Sequence, residues 1–183
     1  MTRSRLSPRE MSRIAMMAVL LCLCAWLSVP APIPFTLQTF GLFCALGLLG
    51  GRRGSLAILL YLLMGAAGLP VFSGFQGGIA CLLGPTGGYL LGFLPMGLLY
   101  CLLEKQAMRS LWFMAAALVL GLLLCYALGT VWFVKVYSFH HGPIAWISAM
   151  GLCVFPFVLP DLGKLALALL LIRSLRPRLP QQI

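Results

Sequence analysis

The chain has 183 residues, 62% of them hydrophobic and 9% charged, with a formal net charge of +10 and a mean hydropathy of +1.05. A water-soluble domain carries about 25% charged residues, so this composition excludes one and points to an integral membrane protein. The positive balance would suit nucleic acid, but the bases punctuate the ends of apolar runs instead of forming a patch on a soluble face, so no nucleic-acid partner is expected.

Apolar runs fall at about 14–29, 37–51, 54–71, 87–103, 111–134 and 150–172. They are read as six transmembrane helices of an all-α bundle that fills residues 1–183 as one domain. The second run is short for a straight crossing, which takes roughly 17–25 residues, and is expected to be tilted, irregular or partly re-entrant. The charges test this count independently. Arg3, Arg5, Arg9 and Arg13 precede the first run, and Arg52 and Arg53 join the second to the third. Lys105 and Arg109 join the fourth to the fifth, and Arg173, Arg176 and Arg178 follow the sixth, while the alternate connections hold only Lys135. Cytoplasmic loops attract Lys and Arg, so both termini are expected in the cytoplasm of a bacterial-type cell, with the chain crossing the plasma membrane several times.

The Arg-rich start resembles a signal peptide, but Pro30, Pro32 and Pro34 crowd the place of a cleavage site, so an uncleaved first span is expected. That span carries Ala15, Ala18, Cys22 and Ala25 as a stripe of small residues. Packing within the bundle and docking of another subunit both fit such a stripe. The prolines then impose a stiff, extended entry into the second span, where Thr36, Gln38 and Thr39 bring uncharged hydrogen-bonding groups. Thr36 could serve as a helix cap; Gln38 has no such use.

Residues 65–92 are rich in glycine, and the stretch 72–86 carries no charge although it should lie outside. It is read as a lid folded back over the membrane, since irregular backbone at that depth needs protein or a cavity to satisfy it. Pro85 suits the first turn of the fourth span. Gly88 and Gly92 form a G-x-x-x-G packing face there, with Tyr89 beside it. The fifth run reads as scaffold. Segment 135–146, with His140 and His141, reads as an interfacial loop with Tyr137 and Trp146 at headgroup depth. No metal site is expected, because neighbouring helical residues point about 100° apart and no carboxylate is near. Seven cysteines (Cys22, Cys24, Cys44, Cys81, Cys101, Cys125 and Cys153) read as small apolar residues packed between helices.

The sixth run contains Phe155-Pro156-Phe157-Val158-Leu159-Pro160-Asp161-Leu162-Gly163-Lys164. Asp161 and Lys164 are three apart and share a helix face, with Phe157 above and Ala168 below. Asp161 lies twelve residues before Arg173, about 18 Å along a helix, which puts it near or just outside the midplane. A charge there costs roughly 2.5–3.5 kcal/mol, and Pro156 and Pro160 leave carbonyls without donors. Mutual neutralisation alone would need neither the prolines nor the uncharged polar groups of the outer loops. Ligand binding or proton relay accounts for both.

In order along the chain, Phe35-Thr36-Leu37-Gln38-Thr39-Phe40, Gly65-Ala66-Ala67-Gly68-Leu69-Pro70-Val71-Phe72, Gly84-Pro85-Thr86-Gly87-Gly88-Tyr89-Leu90, Asp161 and Lys164 closely resemble the BioY family. These are the biotin-binding S-components of energy-coupling factor (ECF) transporters, and the likeness runs from about residue 13 to 172. It implies six helices, a vitamin site opening to the outside, and a protein that topples in the membrane to release biotin inward. It also implies a membrane coupling subunit and two cytoplasmic ATPases as partners. Family members carry an A-x-x-x-A docking motif on the first helix. Here Val19 follows Ala15 at that spacing, while Ala18 and Cys22 keep small residues in a shifted frame.

With biotin as ligand and no other cofactor, the resemblance implies that Asp161 accepts from the ureido N–H groups. Lys164 then donates to the ureido oxygen or pairs with the carboxylate, and both remain open. Thr36, Gln38, Gln76, Thr86 and Tyr89 would complete a polar shell, with Phe72, Phe155 and Phe157 around the apolar body. Ala15, Ala18 and Cys22 would face the coupling subunit. One rival is an S-component for another vitamin, such as thiamine or riboflavin; another is a self-sufficient ion-coupled transporter with Asp161 as proton carrier. An enzyme is not expected. His140 and His141 are poorly placed to serve Ser73 as base, Glu10 and Glu104 lie too far away to pair with Asp161 as a protease dyad, and no G-x-x-x-x-G-K-[ST] is present to bind ATP.

Overall fold

A computed structural model describes residues 6–29 and 34–176. Arg3, Arg5, Pro30, Pro32 and Arg178, used above, lie outside that range. Helix α1 (Pro8–Trp26) opens with a capping box. The Ser7 hydroxyl accepts the Glu10 N–H at 3.3 Å, and the Glu10 carboxylate accepts the Ser7 N–H at 2.7 Å. This satisfies two of the donors that every helix start leaves exposed. The same carboxylate meets the Arg53 guanidinium and so ties α1 to the start of α3 (Gly51–Ala66).

The all-α expectation holds, with one small addition to the helices. After α1 the chain forms a small antiparallel ladder, β1 (Ser28–Val29) with β2 (Phe35–Thr36), pairing Ser28 with Thr36 and Val29 with Phe35. The extended conformation that proline imposes on its neighbours suits such a ladder. Leu37 N–H then donates to the carbonyls of Cys24 and Leu27 at 3.1 and 3.2 Å, folding the chain back over the end of α1. Helix α2 (Gln38–Leu49) follows. Its junction to α3 is Gly50 alone, at φ 82°, where the Glu104 carboxylate covers the space a side chain would take. Helix α3 begins three residues before the expected span and stops at Ala66, because Gly68 at φ 96° and Pro70 cannot continue it.

The lid carries structure of its own: a 3-10 turn at Ser73–Phe75 and helix α4 (Ile79–Leu83). Helices α5 (Gly87–Ala107) and α6 (Leu111–His141) then pack along their length. Gly88 faces Trp132 and Gly92 faces Cys125, so the G-x-x-x-G face serves helix packing. Helix α6 corrects the reading of 135–146, since it runs unbroken to His141. No glycine or proline interrupts those residues until Gly142 at φ 88°. The last run is two helices, α7 (Trp146–Cys153) and α8 (Phe155–Leu175), broken at Val154 where Pro156 follows two residues later.

Among the described residues three stretches, Gly87–Ala107, Leu111–His140 and Trp146–Leu175, are long and apolar enough to cross a membrane. Large apolar side chains such as Trp112, Leu102, Leu159 and Phe139 point outward and are 79–86% exposed. So many large apolar side chains facing outward are stable only against other apolar matter, here lipid. Inside, α2 packs against α8 and α3 against α5, around a core that includes Phe43, Ile58, Tyr61, Met96 and Leu118.

Candidate functional site

The site grows from the second turn of α8. Asp161 is 2% and Lys164 6% exposed. The Lys164 ammonium donates to Asp161 Oδ1 at 2.6 Å, and the Thr39 hydroxyl of α2 donates to the same oxygen at 2.8 Å. Tyr126 of α6 donates to Oδ2 at 2.6 Å. Burying a carboxylate without partners would cost several kcal/mol; three donors, one of them charged, offset that here. Lys164 is held from a second side by the Phe35 ring, whose centre lies 4.2 Å from the ammonium. Phe35 in turn stacks on Phe157 at 5.9 Å.

The acid and amine open onto a cavity of about 850 Å³, within the range of roughly 300–1,000 Å³ typical of small-molecule sites. Several polar groups on its wall are already oriented. Gln38 Nε2 donates to the Tyr61 hydroxyl at 2.6 Å, and its Oε1 accepts from Thr36 at 3.0 Å. The Thr36 hydroxyl also accepts the Gln38 N–H at 3.3 Å, although the cap position of α2 is Leu37 and not Thr36. Tyr89 is hydrogen-bonded to Thr130 at 3.0 Å. Phe72, 3% exposed, meets Tyr61 edge-on at 5.5 Å.

The glycine-rich segment 72–86, read above as a lid, lines this space and is fastened at both ends. At one end Trp26 of α1 donates to the Pro70 carbonyl at 2.8 Å, its ring 5.0 Å from that of Phe75. Phe75 holds φ at 56°, a left-handed conformation uncommon for a bulky residue. At the other end Trp132 of α6 donates to the Gly84 carbonyl at 3.0 Å. Between them, Gly78 N–H donates to the Gly65 carbonyl at 2.7 Å.

The sequence matches the BioY family over residues 1–181. The chain belongs to the BioY family. A protein named biotin transporter BioY from Thermotoga maritima is 40% identical over 169 residues, covering 92% of this chain and 96% of the relative. A probable biotin transporter BioY from Pyrococcus horikoshii is 37% identical over the same length, with the same coverage of both. A crystal structure described as the S-component for biotin from an ECF-type ABC transporter superposes with a TM-score of 0.82 at 28% identity, over 97% of this chain and 95% of that one.

On this BioY scaffold, Thr36, Gln38, Phe72, Gln76, Thr86, Tyr89, Phe157, Asp161 and Lys164 all border this same cavity. Phe155 does not: it is 55% exposed at the very start of α8. Reading α6 as featureless scaffold missed Tyr126, which was hidden among apolar neighbours. Thr39 was noticed as polar, and the structure aims it at Asp161. Phe35, Cys125 and Cys153 were also missed as site residues, and Cys81, Cys125 and Cys153 border the cavity instead of only filling gaps between helices. The small-residue stripe of α1 needs correction too. Ala18, Cys22 and Ala25 are buried inside the bundle, and only Ala15 stays at the surface, beside Met16 and Val19.

Proposed function

We propose that this chain is the biotin-binding S-component of an ECF-type ABC transporter and mediates biotin uptake. The observation that carries the reading is the buried Asp161–Lys164 pair opening onto a ligand-sized cavity. Biotin's bicyclic head offers two ureido N–H donors and a carbonyl on an otherwise apolar body. A charged acceptor in a low-dielectric pocket suits those donors better than a neutral one. Lys164, next to the same carboxylate, donates to the ureido oxygen or to the ligand carboxylate, while Thr36, Gln38, Gln76, Thr86 and Tyr89 provide the remaining polar contacts. Phe72 and Phe157 flank the apolar ring and chain.

The membrane arrangement follows the same reading. Six crossings, with both termini in the cytoplasm of a plasma-membrane protein, agree with the alternation of bases along the chain. Helix α2, at about 18 Å, then completes its crossing together with the chain on either side. The polypeptide binds and presents its ligand and catalyses nothing. A membrane coupling subunit and two cytoplasmic ATPases supply the energy, with Ala15 and its exposed neighbours on α1 as the contact.

The test is retention of ligand by the purified chain. Stoichiometric labelled biotin, displaced by unlabelled biotin and not by thiamine or riboflavin, is the expected result, and Asp161→Asn should lose it. Absence of retention, or equal displacement by another vitamin, would overturn the assignment. Uptake by vesicles that hold this chain alone and respond to a proton gradient would replace it with the ion-coupled reading.

A further inference from the structure

Three helices converge on Asp161. Thr39 of α2 and Lys164 of α8 both donate to Oδ1, at 2.8 and 2.6 Å, whereas Tyr126 of α6 donates to Oδ2 at 2.6 Å. A carboxylate offers about four acceptor positions, two on each oxygen. Oδ1 therefore has both of its positions filled, and Oδ2 keeps one open beside the Tyr126 hydroxyl. A ligand N–H that uses Asp161 without displacing Thr39 or Lys164 must come to Oδ2. Tyr126 is 8% exposed and borders the cavity at that point.

We propose that Tyr126 is a positioning residue for ligand recognition: its O–H fixes Asp161 Oδ2 and aims the second lone pair of that oxygen into the cavity. The inference rests on the reading that Asp161 accepts an N–H of biotin. Two observations separate it from a packing role. Charge balance at Asp161 is already met by Lys164, so the phenol donor is not needed for neutralisation. Helix α6 packs along α5, and α8 packs along α2, while α6 and α8 meet sparsely. The Tyr126–Asp161 bond thus sets the distance between two walls of the cavity that packing leaves loosely defined.

The experiment uses the full chain, purified in detergent, with biotin and a biotin analogue methylated on both ureido nitrogens. Wild-type protein should prefer biotin, and Asp161→Asn should lose most of that preference. Tyr126→Phe should weaken biotin by about ten-fold to a hundred-fold, with a smaller effect on the methylated analogue. The double variant should bind no more weakly than Asp161→Asn alone, since removing a support has no effect once the supported group is gone.

Equal weakening of both ligands by Tyr126→Phe, adding in full to Asp161→Asn, would make Tyr126 a packing residue and overturn the inference. Lost preference in Asp161→Asn alongside full preference in Tyr126→Phe would overturn the positioning role and leave the ligand assignment standing. Wild-type preference in Asp161→Asn would remove the ligand assignment itself. A second arm keeps the ring-and-donor question separate from folding. Tyr126→His retains a donor and Tyr126→Leu does not: preference kept by the first and lost by the second supports the role, and equal loss in both overturns it.

Discussion

The Lys164 ammonium lies 4.2 Å from the centre of the Phe35 ring and 2.6 Å from Asp161 Oδ1, so an aromatic face and a carboxylate hold one buried cation between them. The ring's negative face is a contact that needs no further charge in the apolar surround. It also explains the small hairpin between α1 and α2, which carries Phe35 to that position. Phe35→Leu should keep most of the apolar contact with Phe157 and lose the cation interaction, lowering stability by roughly 0.5–2 kcal/mol. Thermal unfolding in detergent checks this, and the same change on a Lys164→Met background should have a smaller effect.

Removing either partner of the buried ion pair should destabilise the protein more than removing both. Asp161→Asn leaves Lys164 without its counter-charge, and breaking a buried pair in this way costs about 3–5 kcal/mol. The double variant Asp161→Asn with Lys164→Met should recover much of that loss on thermal unfolding yet retain no biotin. A double variant as unstable as the singles would show that the pair is not the unit it forms in the structure.

The lid makes a kinetic prediction. Trp26→Phe preserves a ring against Phe75 but removes the donor to the Pro70 carbonyl. A net hydrogen bond contributes about 0.5–1.5 kcal/mol. Bound biotin should therefore leave about two- to ten-fold faster, as measured by chasing labelled ligand with excess unlabelled ligand, and the on-rate should change less.

Close packing of α5 on α6 can be tested at Gly88, where an added Cβ would collide with the Trp132 side chain at its own Cβ. Gly88→Val should cost about 1–3 kcal/mol as an overpacked core. Because Trp132 also holds the lid at Gly84, the same variant should bind biotin more weakly.

The start of α1 should respond to acid. Glu10 is held below the ordinary carboxylate value, first by the Ser7 backbone N–H and then by the Ser7 hydroxyl and Arg53. A carboxylate lowered in the folded state stabilises that state above its unfolded pKa, and the contribution disappears as pH falls through the folded value. Stability should thus decline from roughly pH 5 downward, and Glu10→Gln should flatten that part of the profile.

How far the sequence announced this architecture depends on which residues it had to judge. Asp161 and Lys164 stood out because a charge inside an apolar run needs a reason, and glycine with proline marked the lid. Tyr126 sent no comparable signal, since a tyrosine in a long apolar helix reads as core until a partner from another helix appears. The stripe on α1 misled for a related reason. Small residues at helical spacing reveal a close approach but not to what, and the bundle claimed Ala18, Cys22 and Ala25 for itself. The end of α6 was misplaced because Lys135 and the histidines look like a loop by polarity, although their backbone has no cause to stop before Gly142.

The carboxylate and ammonium in the cavity sum to zero whether the proton sits on one or the other. A vacant site built this way adds no net charge of its own to the membrane field, which acts with about 2.3 kcal/mol per elementary charge for each 100 mV. The ligand proposed here, biotin, would alter that, because it brings an anion whose inward passage an interior-negative potential opposes. On the proposed function, the vacant and occupied sites therefore differ by one negative charge, and that difference is what the membrane potential acts on.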